Sequence, residues 1–303
     1  MARILIHEVG PRDGLQMERA VVPLREKEAW IRSVMDSGVD IIQVGSFVHP
    51  EKVPQMADTD ELFRRLAVDK RRPVILSGLV LNEKGLERGL KCGVEMFCLG
   101  ASASETHSQK NTGMGTEEAT CRIIGAAQQA VAAGKRVQVS VQSAFGCGFE
   151  GPIPESRVLG MVRAYLEAGL KNISLADTAG HGRPEQVERL FGEVRRLDPD
   201  IECTCHFHNT YGLGMANCFA ALRAGVTTFE TSFAGLGGCP FTNVAAGNVA
   251  TEDFVHALHL QGERRDIDLA RLVCLAREVA GHFGRDLPGY VYKTGPITMK
   301  EVA

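Results

Sequence analysis

Residues 202–233, ECTCHFHNTYGLGMANCFAALRAGVTTFETSF, contain one complete strand–helix–strand unit. Two short β-rich segments, Glu202–His208 and Thr227–Phe233, flank the longer helix-like segment Leu213–Ala224. Gly225 stands just after that helix, where a left-handed cap residue is favoured. A helix that connects two strands of one sheet leaves them parallel, so this stretch predicts a β/α unit of an α/β protein.

The same alternation continues outward from this unit through the rest of the chain. The other predicted strands are Ile4–Val9, Ile41–Phe47, Val74–Val80, Met96–Ala101, Val137–Ser143 and Asn172–Asp177. The other predicted helices are Leu24–Ser37, Asp58–Val68, Glu83–Cys92, Thr116–Ala133, Glu155–Ala168, Pro184–Leu197 and a helix over about 247–260. Eight β/α units in about 260 residues predict a (β/α)₈ TIM barrel. An open doubly wound sheet is the alternative, but no Gly-x-Gly-x-x-Gly sequence follows the first strand.

We expect one domain, with no linker or low-complexity tract between its parts. The barrel is expected to span about residues 4–262, and a C-terminal helical extension to span about 263–303. The extension contains a further predicted helix, Asp268–Phe283. It is predicted to cap the barrel or to form an oligomer contact.

The composition excludes several classes of function. A net charge of −3 and a pI near 6.3 do not favour nucleic-acid or membrane-surface binding. No apolar run reaches the roughly 18 residues of a membrane span. The nine cysteines are odd in number and contain no C-x-x-C pair, which is typical of reduced thiols. Since the chain also starts directly with a strand-like segment, we expect no signal peptide and a cytoplasmic protein.

The first candidate site follows the first predicted strand directly. The segment GPRDGLQ, Gly10–Gln16, would lie at the carboxyl end of that strand, where TIM barrels carry their active sites. Arg12 can bind an anion, and Asp13 can act as a metal ligand or as a base. The alternative is a surface turn whose Arg–Asp pair is neutralised internally.

The second candidate site is a pair of histidines at the end of the seventh predicted strand. Strand alternation places His206 and His208 on one face and Phe207 on the other. Two imidazoles about 7 Å apart along a strand can bind one divalent metal ion. Cys203 and Cys205 share the face of Phe207, toward the helices, so a mixed cysteine and histidine zinc site is not expected. Two packed core histidines are the alternative.

The third candidate site is a glycine-rich segment after the eighth strand, AGLGGCPFTNVAAGNVATED, Ala234–Asp253. Eight of its twenty residues are Gly or Ala, and each glycine weakens a helix or strand by roughly 0.5–1 kcal/mol. We therefore expect a mobile loop that brings the thiol of Cys239 to a substrate. In a closed barrel this loop neighbours strands one and seven. Asp13, His206, His208 and Asn248 then form a predicted site for Mg²⁺ or Mn²⁺, with zinc as an alternative.

Other residues on the same rim are weaker candidates. Asp177 ends the sixth strand and is predicted to orient the metal site from behind the ligands. Residues 101–115 are predicted to be a polar loop after strand four. Cys147 lies in a rim segment after strand five and is predicted to be structural.

Six segments together resemble one enzyme family. They are VGPRDGLQ (9–16), SFVHPEKVPQMAD (46–58), SLADT (174–178), HFHNTYG (206–212), GLGGCP (235–240) and GNVATED (247–253). In this order and spacing they resemble 3-hydroxy-3-methylglutaryl-CoA lyase, over about residues 4–282. The wider metallolyase group includes isopropylmalate synthase and 4-hydroxy-2-oxovalerate aldolase, which lack the thiol loop.

The resemblance implies a TIM-barrel enzyme, usually a homodimer, that cleaves a tertiary hydroxyacyl-CoA to acetyl-CoA and a keto acid. It implies a role in leucine degradation. By matching position it implies the metal ligands Asp13, His206, His208 and Asn248. It implies that Arg12 stabilises the thioester enolate, that Cys239 is the loop thiol, and that Asp13 or His206 accepts a proton. Arg12, Gln16, Gln43 and Ser46 are the implied substrate contacts, and Asp177 and Asn209 are implied to lie behind the ligands.

Three residues depart from the family pattern. Gln43 replaces a glutamate and loses its charge, Asn209 replaces an aspartate, and Leu213 replaces a glutamine. These changes bear on the acyl group of the substrate. The alternatives are a related metal-dependent aldolase or condensing enzyme, and a non-catalytic paralogue that binds a CoA ester.

Overall fold

Eight parallel strands close into a barrel in the order of the chain. The computed structural model describes residues 3–68, 70, 72–238 and 247–297. The strands are β1 Leu5–Glu8, β2 Ile41–Ser46, β3 Ile75–Leu79, β4 Met96–Ser102, β5 Arg136–Gln142, β6 Asn172–Asp177, β7 Glu202–Phe207 and β8 Thr228–Thr231. The barrel is closed because β8 pairs with β1, from Leu5↔Thr228 to Glu8↔Thr231. The predicted TIM barrel is confirmed, and the open sheet is wrong.

Helices alternate with the strands and surround them. In the described part of the chain they are α1 Leu24–Ser37, α2 Thr59–Val68, α3 Glu83–Cys92, α4 Glu105–Thr112, α5 Thr116–Ala132, α6 Glu155–Glu167, α7 Pro184–Leu197, α8 Gly214–Arg223, α9 Thr251–Leu260, α10 Leu269–Phe283 and α11 Val291–Thr294. No helix among these described residues is both long and apolar enough to cross a lipid bilayer.

The predicted polar loop at residues 101–115 is wrong, because this segment contains the end of β4 and the helix α4. The hydroxyl of Ser104 accepts the backbone N–H of His107 at 3.1 Å, which caps the first turn. Gly113 ends the helix with φ +74°. The helix sequence ETHSQKNT carries no apolar stripe, so its periodicity did not identify it.

The helix predicted from about residue 247 begins four residues later, at Thr251. The residues before it continue the upper edge of the barrel instead. The backbone of Asn248 bridges that of His208, and the N–H of Val249 donates to the carbonyl of Phe207 at 3.2 Å. Because these backbone groups bond to the ends of neighbouring strands, they are not free to form a helical turn.

The main apolar core lies between the outer faces of the strands and the helices. Phe47 stacks on Phe63 there, with ring centroids 5.5 Å apart. Cys205 also faces this layer, where its thiol contacts that of Cys218 on α8. Toward the carboxyl end the barrel interior instead contains buried polar side chains, including Gln138 and Ser174. A polar interior at this end leaves room for a reactive site.

The C-terminal extension packs against the barrel at two places. The guanidinium of buried Arg264 donates to the carbonyl of Ile4 and to Asp40 Oδ2, both at 2.6 Å, and so joins the extension to the amino end of the barrel. The indole N–H of Trp30 on α1 donates to Glu278 Oε1 of α10 at 3.1 Å. The additional C-terminal helix is therefore confirmed as an integral part of the fold.

Candidate active site at the carboxyl end of the barrel

A single wide helical turn, Gly10–Gly14, follows β1 and carries the first two candidate residues. The carbonyl of Val9 accepts the N–H of Asp13 at 2.7 Å and that of Gly14 at 3.4 Å. Such wide turns are rare and are frequently found at functional sites. The turn directs Arg12 and Asp13 over the barrel opening, where the two side chains form an ion pair.

His206 and His208 lie side by side, as strand alternation predicts. Their ring centroids are 5.0 Å apart, and their Nε2 atoms are 3.0 Å apart. Asp13 Oδ2 lies 3.9 Å from His206 Nε2. One ligand atom from each of the three residues lies within 4.8 Å of the others. Two separated segments of sequence thus converge on one point.

Asn248 completes the predicted set from the other side of the opening. Its Nδ2 donates to Asp13 Oδ2 at 2.8 Å and to the carbonyl of Leu236 at 3.0 Å. The predicted fourth ligand therefore contacts the first. A Cβ on Gly237 would stand only 2.4 Å from Asn248 Nδ2, so a glycine is needed where the loop passes over this amide.

The donor set fits a divalent metal ion. His208 Nδ1 and Asn248 Oδ1 are buried and have no hydrogen-bond partner among the described residues, so the cluster is polar but incompletely satisfied. Two ligand atoms at right angles, each about 2.1 Å from a metal, would be about 3.0 Å apart, which matches the separation of the two imidazole nitrogens. Asp13, His206 and His208 form a group that can hold a metal ion.

The charges of the cluster also favour a cation. Burial alone would raise the pKa of Asp13, but Arg12 and the two imidazoles outweigh it and lower that pKa. Burial, reinforced by the charge of His206, lowers the pKa of His208 to about 4, so its ring is neutral at pH 7. Burial opposes a charged His206, yet the carboxylates of Glu230 and Asp13 raise its pKa. A metal ion can replace that proton, since the same carboxylates attract it.

Glu230 and His7 belong to the site and were missed in the sequence. Glu230 Oε2 lies 2.9 Å from His206 Nδ1, and its Oε1 lies 3.5 Å from His7 Nδ1. Burial would raise the pKa of Glu230, but its hydrogen bond to His206 and the nearby ring of His7 outweigh it and hold the pKa far below its usual value. Strand alternation could have shown that both residues face the barrel interior, but not that they meet there.

A cavity of about 200 Å³ opens beside the cluster. Its lining contains Arg12, Asp13, Gln16, Gln43, His206 and His208 from the sequence analysis, together with Met17, Leu79, Cys98, Leu99, His107, Asn111, Gln138, Ser140, Gln142, Ser174, Ala176, Thr178, Glu230 and Gly238. Most of the polar groups are neutral amides and hydroxyls. His107 and Asn111 belong to α4, so the helix that was not predicted from the sequence forms one wall of the cavity.

The predicted substrate contacts differ in their positions. Gln43 is buried in the cavity wall, where its amide donates to the thiol of Cys98. Burial raises the pKa of that thiol to about 12, so it is protonated. The Oε1 atom of Gln16 is buried in the same wall without a hydrogen-bond partner among the described residues. Ser46 is fully buried beyond a bulge in β2 and does not line the cavity.

The residues predicted to lie behind the ligands stabilise loops. Asp177 accepts the backbone N–H groups of His181 and Gly182 at 2.8 and 2.9 Å, and burial raises its pKa to about 6. Asn209 Oδ1 accepts the N–H of Gly214 at 2.9 Å and so caps α8. Cys147 is buried, in keeping with a structural role. Cys239 lies outside the described residues.

Two buried carboxylates hold the base of the glycine-rich segment. Glu8 Oε1 accepts the N–H groups of Gly10 and Phe233 at 2.7 and 2.9 Å, and its Oε2 accepts the hydroxyl of Thr251 at 2.6 Å. Glu252 Oε2 accepts the N–H of Ala234 at 3.0 Å, where φ is +57°. Burial raises the pKa of Glu8 to about 7. These bonds fix the backbone at the base of the glycine-rich segment, which contains Cys239.

Comparison with known proteins identifies sequences and structures that are similar over nearly the whole chain. The HMGL-like family model matches residues 3–279. The hydroxymethylglutaryl-CoA lyase of Pseudomonas mevalonii is 37% identical over 284 residues, which cover 94% of each chain. The (R)-citramalyl-CoA lyase of Chloroflexus aurantiacus is 34% identical over 305 residues, or 98% of this chain and 96% of that protein.

The solved structures agree with the sequence matches. An HMG-CoA lyase from Acinetobacter baumannii, in complex with coenzyme A and 3-methylmalate, superposes with a TM-score of 0.91. It is 36% identical in sequence, and the match covers 99% of this chain and 97% of that one. Both the fold and the family are thus determined independently of the site geometry.

Proposed function

The chain belongs to the HMGL-like family, and from this premise we propose that it is a divalent-metal-dependent carbon–carbon lyase. Its substrate is 3-hydroxy-3-methylglutaryl-CoA or a similar hydroxyacyl-CoA. The products are acetyl-CoA and a keto acid, which is acetoacetate in the type reaction. The proposal is supported by enzymes of this activity that are similar over nearly the full chain.

One observation carries the proposal. Asp13, His206 and His208 meet at the carboxyl end of the barrel, with ligand atoms within 4.8 Å of one another and Arg12 paired to Asp13. A retro-Claisen cleavage needs a place to acidify a hydroxyl and a cation to stabilise the enolate that leaves. A metal ion held by the cluster would acidify the hydroxyl, and the guanidinium of Arg12 is the cation that would stabilise the enolate.

We propose Asp13, His206, His208 and Asn248 as the residues that hold Mg²⁺ or Mn²⁺. When bound by these residues, such an ion would supply Lewis acidity to the substrate hydroxyl. Asp13 or His206 then accepts the hydroxyl proton. As the C2–C3 bond breaks, its electron pair moves onto the thioester, and the guanidinium of Arg12 stabilises the resulting oxyanion.

The geometry favours Asp13 over His206 as the proton acceptor. His206 Nδ1 is hydrogen-bonded to Glu230 at 2.9 Å, which leaves only Nε2 to bind a metal ion or to accept a proton. That atom cannot bind a metal ion and accept a proton at once. Asp13 has two oxygens, one beside Arg12 and one beside Asn248 and His206.

We propose that Cys239 completes the reaction. Its S–H donates a proton to the enolate carbon, which gives the methyl group of acetyl-CoA, and the thiolate regains a proton from solvent or from the first acceptor. The position of Cys239 between Gly238 and Pro240 in the sequence supports a loop residue rather than a core thiol.

The finer choice of substrate concerns Gln43. A neutral amide lies in the cavity wall at the position where the family has a glutamate, and the other polar groups around it are mostly neutral. We propose that Gln43 takes part in selecting the acyl group. A relative whose name specifies citramalyl-CoA makes that compound a second candidate.

A turnover assay tests the proposed function. Purified protein is incubated with 3-hydroxy-3-methylglutaryl-CoA, with citramalyl-CoA and with the corresponding free hydroxy acids, each with and without Mg²⁺ or Mn²⁺. Metal-dependent release of acetyl-CoA from a thioester is the expected result. Equal cleavage of the free acids would identify an aldolase instead. Binding of the esters without any cleavage would identify a non-catalytic paralogue.

We further propose that the enzyme is a cytoplasmic homodimer that acts in leucine degradation. The cytoplasmic location is supported by the odd number of cysteines without a C-x-x-C pair. The dimer is supported by the family resemblance. The molar mass, measured by light scattering as the protein elutes from a size-exclusion column, tests it. A monomeric mass near 32.8 kDa would contradict the dimer.

A further inference from the structure

Three residues on three neighbouring strands form one layer of the barrel interior. Glu230 on β8 is the register partner of His206 on β7, and it is also the register partner of His7 on β1. Side chains that are opposite one another in a parallel sheet point to the same face at the same height. The three groups therefore meet by the register of the barrel and not by the course of a loop.

Within this layer Glu230 contacts His206 on the side away from the metal cluster. Its Oε2 lies 2.9 Å from Nδ1, while Nε2 of the same ring faces His208 and Asp13. A carboxylate only accepts hydrogen bonds, so this contact requires a proton on Nδ1 of His206. The lone pair of a neutral His206 then resides on Nε2, the atom that faces the cluster.

The ring of His7 lies on the other side of Glu230. His7 Nδ1 lies 3.5 Å from Glu230 Oε1, and His7 Nε2 lies 2.9 Å from the hydroxyl of Ser77. That hydroxyl is also 3.1 Å from the carbonyl of Ile42. His7 and Ser77 are fully buried. The ring of His7 is thus held by Ser77 on β3, and it occupies the space on the side of Glu230 away from His206.

We propose that Glu230 is a positioning residue, which fixes the Nδ1–H tautomer and the ring orientation of His206 so that Nε2 is available to a divalent metal ion. The buried ring of His7 packs behind Glu230. This inference deepens the proposed function and rests on its metal dependence. Carboxylates placed in this way behind a ligating histidine commonly change metal affinity by about 10–100-fold.

The first test examines the tautomer in the metal-free protein. Two-bond nitrogen–proton spectra of ¹⁵N-histidine-labelled full-length protein distinguish Nδ1–H from Nε2–H, and they are recorded above the raised pKa of His206, where its ring is neutral. The parent protein and Glu230→Gln, whose amide oxygen can still accept the Nδ1–H, are expected to show Nδ1–H at His206. Glu230→Leu is expected to shift His206 to a mixture or to Nε2–H. Nε2–H in the parent protein would overturn the inference without any variant.

The second test measures Mn²⁺ binding by the loss of the free-ion electron paramagnetic resonance signal. Glu230→Leu is expected to weaken Mn²⁺ binding by about 10–100-fold, and Glu230→Gln by less than about 10-fold. Thr204→Val is the matched control, because it removes another buried hydrogen bond inside the barrel, from Gln138 at 3.1 Å. This control is expected to bind Mn²⁺ like the parent.

The two tests separate the inference from the proposed function. Unchanged Mn²⁺ affinity in Glu230→Leu, or an Nδ1–H that persists in that variant, would overturn the role of Glu230. An equal loss of Mn²⁺ affinity in Thr204→Val would also overturn the role of Glu230, because the loss would then reflect general destabilisation of the barrel. If the parent protein binds no Mn²⁺, the metal-dependent function fails, and the tautomer spectra still decide what Glu230 does.

Discussion

Asn248 donates its side-chain amide to Asp13 Oδ2 across 2.8 Å and so joins the segment after β8 to the turn after β1. The two residues are 235 positions apart in the chain, and they meet only because β8 closes the barrel against β1. The candidate metal cluster therefore depends on complete closure of the sheet. Stability of the last β/α unit and integrity of the site are linked.

The first prediction concerns the metal. Removal of divalent ions by a chelator should abolish turnover, and added Mg²⁺ or Mn²⁺ should restore it. His206→Ala should lose Mn²⁺ affinity and lower kcat/KM on the order of 10³-fold, because Lewis acidity is worth several kcal/mol. His256→Ala removes another buried histidine, one that does not line the cavity, and serves as the control. Full activity of metal-free protein would refute the prediction.

The second prediction separates the thiol's chemistry from substrate binding. Cys239→Ala should lower kcat on the order of 10²-fold and leave KM nearly unchanged, since the thiol acts on the reacting carbon and not on the CoA group. Steady-state kinetics measure both constants. Cys147→Ser alters a buried thiol that accepts the N–H of Phe149 at 3.4 Å, and its kcat should change little. Similar losses of kcat in both variants would show that Cys239 has no special role.

The third prediction concerns Gln43. Gln43→Glu would place a third carboxylate in a cavity that already contains Asp13 and Glu230. Activity on the native substrate should fall by about 10²-fold, because the new charge is unpaired and the hydrogen bond to Cys98 changes. A panel of hydroxyacyl-CoAs measures the change. Increased cleavage of 3-hydroxy-3-methylglutaryl-CoA would instead show that the family's carboxylate is needed, and equal rates throughout would show that residue 43 only fills space.

The fourth prediction concerns the glycine above Asn248. Gly237 has φ +114°, and an added Cβ would meet Asn248 Nδ2 at 2.4 Å and Asp13 Oδ2 at 3.4 Å. Gly237→Ala should lower kcat/KM by about 10²-fold, since a displacement near 1 Å can cost that much. Gly93→Ala is the matched control, with φ +86° and no atom within 4 Å of the added Cβ. Gly93→Ala should lose about 1 kcal/mol of stability and keep its kcat/KM, whereas Gly237→Ala should lose at least as much stability.

The fifth prediction is a pH dependence of folding stability. The pKa of Glu8 is about 7 in the folded protein because of burial, against 4.5 ordinarily. Between these pH values the folded protein retains a proton that the unfolded chain has released. Glu8 therefore makes stability fall as pH rises through this window, by up to about 1.4 kcal/mol per pH unit. Urea unfolding at several pH values should give a flatter profile for Glu8→Gln, and parallel profiles would contradict the assignment.

Much of the fold could be predicted because apolar residues recur at different spacings in strands and in helices, and because the strand–helix unit repeats eight times along the chain. The helix α4 escaped prediction because its sequence, ETHSQKNT, has no apolar face, although Ser104 and Gly113 mark its ends. The helix near residue 247 was predicted too early, because local sequence does not reveal that Gly247 and Val249 bond to the ends of other strands.

The site was predictable where its residues occur in short motifs. Asp13, His206 and His208 stand in such motifs, and the structure brings them together. Glu230 and His7 are single residues in ordinary strands, and their meeting depends on the register of β7, β8 and β1. A register of that kind is set by closure of the whole barrel, which no local pattern encodes.

Trp30 is the single tryptophan of the sequence. Its buried indole lies 5.1 Å from the His282 ring of α10 and 6.2 Å from the Phe233 ring at the base of the glycine-rich segment. Its fluorescence therefore reports on the docking of the C-terminal extension. It also reports on the backbone at the start of the glycine-rich segment. The protein contains its own optical probe, placed where both can be observed without a label.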